Sequence, residues 1–162
     1  MTGHPTEVPP MHDAAQPYTT EHVVEYAYKR SLGPVLSRFF TALRAGQILG
    51  SRTAEGRVLV PPMEHDPETG DGLGPDDMLE VGPGGRVATW AWVNHPRENH
   101  PLDRPFAFAL VELDGATTGF LHAVDAGGEE HMHSGMRVMP RWRPERTGEI
   151  HDLVCFEPED TP

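Results

Sequence analysis

The chain has 162 residues, an apolar content of 37% and a formal net charge of −12, from 13 basic and 25 acidic side chains. This length allows one domain with a hydrophobic core and a small appendage, and the negative charge disfavours general binding to nucleic-acid phosphates. The single cysteine, Cys155, excludes an internal disulfide and a zinc site made of cysteine thiolates.

The two ends of the chain have the composition of unstructured segments. Residues 1–18 are polar and rich in proline, without an apolar repeat, and are predicted to form a flexible arm or a strap laid over a partner. Residues 159–162 are predicted to be a short tail. The N-terminus lacks the basic start and apolar core of a signal peptide, and no apolar stretch approaches the roughly 20 residues of a membrane span. We therefore expect a cytoplasmic protein without a membrane anchor.

Two short helices are predicted within a helical segment at residues 19–50. The first spans Thr19–Arg30. The second begins at Pro34, which suits the first position of a helix, and continues to Arg44, with Gly46 as its stop signal. Together they place a helical region before the rest of the domain.

The second predicted helix carries a wide apolar stripe. Phe39 and Phe40 are adjacent in sequence, so their side chains lie ~100° apart around the helix axis and face two different neighbours. One neighbour is expected to be the rest of the chain, and the other a partner protein or a second copy. Aromatic residues dominate the binding energy at such interfaces, so we predict four partner-binding residues: Tyr26, Phe39, Phe40 and Leu43. The alternative is that both rings are covered internally.

The remainder of the chain has the pattern of a small β-domain. Arg57–Val60 is predicted to be a strand that ends at Pro61-Pro62, and residues 63–77 form an irregular acidic loop. Six runs of strand length follow, without a helical repeat: Met78–Val81, Arg86–Asn94, Pro105–Leu113, Thr117–Val124, Met136–Trp142 and Glu149–Phe156. Asp114-Gly115 between two of them is a hairpin signal. The spacing predicts a mainly β fold with an OB-fold barrel at residues 78–158; a small sandwich is the alternative.

The strand Arg86–Asn94 alternates in polarity. A strict period of two places Val87, Thr89, Ala91 and Val93 on one face, and Ala88, Trp90 and Trp92 on the other. Aromatic residues of this region could form a stacking platform for single-stranded nucleic acid: Trp90, Trp92, Phe106 and Phe108. The net charge opposes this second hypothesis, and the simpler interpretation is that about half of these rings fill the core.

Five segments, taken in order, carry a resemblance. They are Phe39-Phe40-Thr-Ala-Leu43-Arg44-Ala-Gly46, Pro61-Pro62, Pro105-Phe-Ala-Phe-Ala-Leu-Val-Glu-Leu-Asp114-Gly115, Gly135-Met136-Arg-Val138 and Cys155-Phe156-Glu157-Pro158. Their order and spacing resemble a family of small proteins that join a rubredoxin-like zinc ribbon to an OB-fold and accompany acyl-CoA enzymes. The resemblance covers roughly residues 25–158.

The zinc ribbon implied by this resemblance lacks its ligands. Matching the family's two Cys-x-x-Cys-Gly motifs to Gly56 and Gly70 puts other residues at the four cysteine positions: Arg52, Glu55, Asp66 and Thr69. A structural zinc site needs four good donors, usually thiolate or imidazole. We therefore predict that residues 51–77 form a degenerate ribbon without metal.

The resemblance also implies a function. Members of the family accompany thiolases, hydroxymethylglutaryl-CoA synthases and steroid side-chain aldolases, and bridge or complete those enzymes. It implies a non-catalytic subunit of a hetero-oligomer, with no cofactor of its own and with acyl-CoA as the ligand of the complex. Arginines that could contact acyl-CoA phosphates are Arg137, Arg141 and Arg143.

Independent catalysis and metal binding are weaker hypotheses. The sequence contains no Gly-x-Ser-x-Gly nucleophile elbow, no P-loop and no cysteine with an evident base. His131 and His133 form a His-x-His pair that could bind a metal from one strand face. The simpler interpretation of this segment is an acidic turn, so no metal is predicted.

Overall fold

The computed structural model describes residues 31–159. The predicted arm, the predicted helix Thr19–Arg30 with Tyr26, and most of the predicted tail lie outside the described residues. Besides three short 3-10 helices, the described elements are one α-helix and eight strands, in the order α1 (Gly33–Ala45), β1 (Ile48–Arg52), β2 (Val58–Leu59), β3 (Met78–Val81), β4 (Gly85–Val93), β5 (Phe106–Leu113), β6 (Gly119–Val124), β7 (Arg137–Trp142) and β8 (Leu153–Pro158).

The second predicted helix is present as α1. Pro34 lies in its first turn, and the helix ends at Gly46, whose N–H donates to the carbonyl oxygen of Leu43 at 2.9 Å. The side chains that α1 buries are Val35, Phe39, Ala42 and Leu43. They recur at helical spacing, so one face of α1 contributes to the main hydrophobic core.

Strands β1, β2 and β3 form a separate three-stranded sheet in the order β2-β1-β3. The prediction that Met78–Val81 belongs to the barrel is wrong, because this strand pairs antiparallel with β1, with Ile48 opposite Val81. Strand β1 itself was not predicted. It contains Gly50, a residue that weakens the strand signal, and a side chain there would come within 2.9 Å of the Leu59 carbonyl oxygen on the neighbouring strand.

The other five strands form a closed barrel in the order β4-β5-β6-β8-β7. This confirms the mainly β class and the OB-fold architecture. The turn at Asp114-Gly115 joins β5 to β6 as predicted, with Gly115 at φ 85°. The predicted last strand begins later than expected, because Ile150–Asp152 form a short 3-10 helix before β8.

A β-bulge in β4 alters the predicted faces of that strand. Val87 pairs with Val111, but Thr89 pairs with the next residue back, Leu110, so the register shifts between Val87 and Thr89. The extra residue reverses the alternation. Val87 is buried, on the same side as Trp90 and Trp92, whereas Thr89 is exposed. The strict period of two across this strand was therefore wrong.

Candidate functional site

The predicted partner-binding stripe on α1 is largely covered by the chain itself. Phe39 is 2% exposed and Leu43 is 0% exposed, and both belong to the main core. Phe40 is half-buried and packs edge-to-face on Phe39, with 5.6 Å between ring centroids. Of the three predicted residues that the structure describes, Phe40 is the one whose side chain is partly accessible to another protein. A role for Phe40 in partner binding stays a prediction.

A buried carboxylate organises the loop beside α1. Asp152 is fully buried and accepts hydrogen bonds from the N–H groups of Thr147 (3.0 Å), Gly148 (2.6 Å) and Glu149 (3.1 Å). Burial raises the pKa of Asp152, but these three donors outweigh it and hold the pKa below its usual value. The loop in turn binds the helix, because Arg44 donates from Nη2 to the Thr147 carbonyl oxygen at 2.8 Å.

Two of the three arginines proposed as phosphate contacts are already bound to carboxylates. Arg137 makes a bidentate pair with Asp114, at 2.7 and 2.8 Å, and a third bond with Glu159. Arg141 contacts Asp125 and Glu157. Arg143 is exposed, and no ion pair of its side chain occurs within residues 31–159. Of the three, Arg143 is therefore the guanidinium most accessible to an external anion.

Residues 51–77, which were predicted to be a degenerate ribbon, contain two turns that an ion pair joins. The Gly56 N–H donates to the Thr53 carbonyl oxygen at 3.0 Å, and the Gly70 N–H donates to the Asp66 carbonyl oxygen at 2.8 Å. Arg57 then reaches across and donates from Nη2 to both carboxylate oxygens of Asp66, at 2.7 and 2.9 Å.

This arrangement does not fit a zinc ion. The side chain of Asp66 lies at one of the positions matched to the family's cysteines, is buried, and also accepts the Glu68 N–H at 2.8 Å. The Glu68 N–H and the Arg57 guanidinium hold the pKa of Asp66 below its usual value despite burial. The guanidinium of Arg57 therefore already occupies the Asp66 carboxylate to which a cation would have to bind. This ion pair, and not a metal, stabilises the contact between the two turns.

The protein prepared without chelator is accordingly expected to contain no stoichiometric zinc. Treatment with EDTA should leave its melting temperature unchanged, because an ion pair and backbone bonds close the ribbon. Elemental analysis and thermal unfolding with and without EDTA measure both quantities. One zinc per chain would contradict this expectation and direct attention to His131 and His133.

Two other groups of potential metal ligands are unsuitable. Within the described part of the chain, the one group of three whose ligand atoms lie within 4.8 Å is Asp125, Cys155 and Glu157. Its carboxylates are engaged by Arg104 and Arg141, and burial raises the pKa of the Cys155 thiol to about 12. A protonated thiol between two guanidinium groups is a poor cation site and a poor nucleophile.

The His-x-His pair makes local bonds instead. His131 donates from Nδ1 to the Ala126 carbonyl oxygen at 3.0 Å, and His133 Nδ1 contacts the His131 carbonyl oxygen at 3.3 Å. Glu130 Oε1 lies 3.9 Å from His131 Nε2, but within residues 31–159 no group of three ligand atoms that includes this pair lies within 4.8 Å of one another. The sequence pattern therefore corresponds to a turn that follows a short 3-10 helix at Glu129–His131.

The four aromatic residues considered for nucleic-acid stacking do not share a face. Trp90 and Trp92 pair with Ala109 and Ala107, whereas Phe106 and Phe108 alternate with these alanines and point to the opposite side of β5. Phe106 is fully buried. The geometry thus offers no single platform on which consecutive bases could stack.

An apolar groove opens where the barrel is least paired. Strands β6 and β8 run parallel and pair at one position, Val124 opposite Phe156. Away from that position the strands separate and leave a cavity of about 170 Å³, in which Leu121, Phe108 and Val154 form part of the wall and His122, Arg143 and His151 are the polar lining residues. We call this feature the β6–β8 groove.

His122 is the unusual residue of the β6–β8 groove. Its ring packs against Phe120 and Phe156, with centroid distances of 5.5 and 5.8 Å. Its Nδ1 atom is buried and has no hydrogen-bond partner within residues 31–159. Burial lowers the pKa of His122 to about 4, with a smaller effect from His151. The ring is therefore neutral at physiological pH. A histidine in a run of apolar residues gave no signal of this role in the sequence.

Comparisons with known proteins support the architecture. Residues 79–143 match the family described as ChsH2, C-terminal OB-fold domain. A chain of the structure titled "Ltp2-ChsH2(DUF35) aldolase" is similar, with a TM-score of 0.59 and 20% identity over 80% of this chain and 98% of that chain. A DUF35-family protein of unknown function from Sulfolobus solfataricus has a TM-score of 0.57 and 18% identity, over 78% and 87% of the two chains. No curated protein matches the chain significantly.

The matches confirm the OB-fold predicted from the sequence and agree with the family that the sequence resembles. At 18–20% identity the two solved structures establish the fold alone. No helix within residues 31–159 has both the length and the apolar character needed to cross a membrane.

Proposed function

From the premise that residues 79–143 are an OB-fold domain of the ChsH2 C-terminal type, we propose that this chain is a non-catalytic subunit of an acyl-CoA enzyme. Its partner is a thiolase or a thiolase-like aldolase, of which steroid side-chain aldolases are one class. The two proteins form a hetero-oligomer, and the acyl-CoA substrate is a ligand of the complex. The chain helps to assemble or complete the acyl-CoA site of its partner.

The single observation that carries this proposal is the similarity of 80% of the chain to almost the whole DUF35 chain of an aldolase complex. Both the ribbon sheet and the barrel are needed to reach that coverage, so the similarity is to the complete arrangement and not to a barrel alone. The side chains of Cys155 and Arg143 are consistent with a subunit that does not itself catalyse a reaction. The buried thiol of Cys155 has a raised pKa, and the accessible arginine, Arg143, has no adjacent nucleophile to activate among the groove residues.

Affinity capture tests the proposal. The full-length chain, tagged and produced in the cells that naturally contain it, is expected to retain a thiolase-like protein in stoichiometric amount, identified by mass spectrometry. The complex should cleave or condense an acyl-CoA thioester, whereas the purified chain alone should not. Within residues 31–159 the neighbouring carboxylates Asp125 and Glu157 are engaged by arginines, and the Cys155 thiol is buried with a raised pKa. Turnover by the chain alone, abolished by one point substitution, would contradict the proposal.

The second hypothesis, a nucleic-acid-binding OB-fold protein, has a separate signature. Binding to a fluorescent single-stranded oligonucleotide would weaken steeply with salt, in proportion to the phosphates contacted. We expect no measurable binding at 150 mM salt, because the chain carries a net charge of −12. Tight and salt-sensitive binding would favour the second hypothesis over the first.

A further inference from the structure

The exposed large hydrophobic residues of the barrel strands lie on the outer surface of β5 and β6. Leu121 is 62% exposed and Leu110 is 38% exposed, two of the four large hydrophobic residues that are exposed within residues 31–159. The two leucines are direct cross-strand neighbours, so their side chains form one patch. This patch continues into the β6–β8 groove, because Leu121 and Phe108 line it. Contiguous exposed apolar surface of this kind marks an interaction site.

The charge of the groove is opposite to that of the chain. Acidic side chains outnumber basic ones by 25 to 13 in the sequence. The lining of the groove nevertheless contains Arg143, His122 and His151 and no carboxylate. Arg143 is exposed and forms no ion pair within the described residues. The buried Asp152 carboxylate attracts this guanidinium through space, but it already accepts three backbone hydrogen bonds. A neighbour that removes water from Arg143 would therefore destabilise its charge unless that neighbour supplied an anion.

We propose that the β6–β8 groove, with Leu110, Leu121 and Arg143, is the docking surface for the partner subunit, and that the partner inserts one large apolar side chain beside a carboxylate that pairs with Arg143. This inference rests on the proposed function for the existence of a partner. It adds the surface and the chemistry of the contact, neither of which follows from the family.

The size of the groove indicates the occupant. A cavity of about 170 Å³ is comparable to the ~150 Å³ cavities that take up benzene, so it fits one leucine, methionine or phenylalanine side chain. A complete acyl-CoA is much larger. Anchoring of one buried side chain at the centre of a flatter apolar patch is the usual arrangement of energetically important residues in protein interfaces.

The same charges disfavour a second copy of this chain as the occupant. A symmetric dimer presents the same patch on both subunits. The groove lining contains no carboxylate, so a second copy of the groove offers no anion to Arg143 and brings two positively charged patches together, which is repulsive. A different protein that carries an acidic residue beside its apolar anchor would supply the anion for Arg143 and avoid the repulsion.

Two substitutions with matched controls test the docking surface. Leu121→Asp and Arg143→Glu alter the patch at exposed positions, so the fold is retained. Met63→Asp and Arg52→Glu make the same chemical changes at exposed positions of the ribbon region, outside the groove. The tagged full-length variants are compared by circular dichroism melting, by affinity capture with mass spectrometry, and by light scattering of the purified chain.

We expect Leu121→Asp and Arg143→Glu each to reduce the captured partner roughly tenfold or more, the effect of losing one interface hot spot, while both controls capture it as the unsubstituted chain does.

Equal capture by all four variants would overturn the docking surface and leave the proposed function intact. A captured partner that is lost in the two surface variants but is not thiolase-like would support the surface and overturn the proposed function. Capture of no protein by the unsubstituted chain would overturn both. A homodimer that Leu121→Asp converts to a monomer would identify a second copy as the occupant and overturn the inference.

Discussion

Phe39→Asp is expected to abolish folding, whereas Phe40→Asp is expected to give a folded protein. Phe39 is 2% exposed within the main core, so the substitution removes a large apolar side chain and leaves an unpaired carboxylate there. The first effect alone costs about 3–5 kcal/mol, and an unpaired buried charge adds to it. The sum approaches the ~5–15 kcal/mol of a whole domain.

Phe40 differs because its ring is half-buried and the carboxylate can reach water. The expected cost of Phe40→Asp is about 1–2 kcal/mol, a common value for a substitution at a partly exposed site. Urea unfolding followed by circular dichroism measures both variants. Loss of folding in both, or a stable fold in both, would show that α1 packs differently from the structure.

The Phe40→Asp variant also reports on the extent of the partner contact. The Phe40 carbonyl oxygen lies beside Gly148, at the start of the loop whose residues Ile150 and His151 reach the β6–β8 groove. If the partner extends over this loop to the helix, the folded Phe40→Asp variant should capture less of it. If the variant captures as much partner as the unsubstituted chain does, the contact is confined to the groove and the prediction that Phe40 binds the partner is wrong.

The free energy of unfolding is expected to fall by about 3 kcal/mol between pH 6.5 and pH 4 through His122 alone. Burial lowers the pKa of His122 from 6.5 to about 4 in the folded state, and one pKa unit corresponds to about 1.4 kcal/mol. In this interval the unfolded chain binds a proton at His122 and the folded chain does not. Stability is therefore greatest above pH 6.5 and decreases as the pH falls through the interval.

The variant His122→Phe removes this titration and keeps a ring between Phe120 and Phe156. Its free energy of unfolding should change by roughly 3 kcal/mol less than that of the unsubstituted chain between pH 6.5 and pH 4. His133→Gln, a histidine substitution at an exposed position, is measured alongside as the control. Urea unfolding at several pH values gives the curves. Parallel curves for His122→Phe and the unsubstituted chain would show that His122 is hydrated in the folded state.

Buried carboxylates affect stability in a lower pH range. Asp66 and Asp152 are buried, and their hydrogen-bond donors hold both pKa values below the usual value. Their stabilising contributions are present above the pKa of an unfolded aspartate, near 4, and are lost below it. The effect of His122 can therefore be measured separately between pH 6.5 and pH 4.

Local patterns in the sequence determined much of the architecture. Pro34 and Gly46 delimit a helix whose apolar residues recur at helical spacing. The runs of strand length between turn residues predicted all five strands of the barrel, and Asp114-Gly115 marked one hairpin. These signals depend on residues close together in the chain, so they are visible without the fold. The same is true of the residues at the four positions that the resemblance matches to cysteines, Arg52, Glu55, Asp66 and Thr69.

Only the tertiary structure decided which residues meet across long stretches of chain. Met78–Val81 has a generic strand pattern, and its pairing with β1 was settled by a partner about 30 residues away. The bulge in β4, the contact of Arg57 with Asp66, and the engagement of Arg137 and Arg141 by carboxylates likewise arise from three-dimensional placement. The β6–β8 groove exists because two strands distant in sequence pair at one position and then separate. Local periodicity specifies which face of an element is apolar, whereas the identity of the neighbour that covers that face depends on the packing of the whole domain.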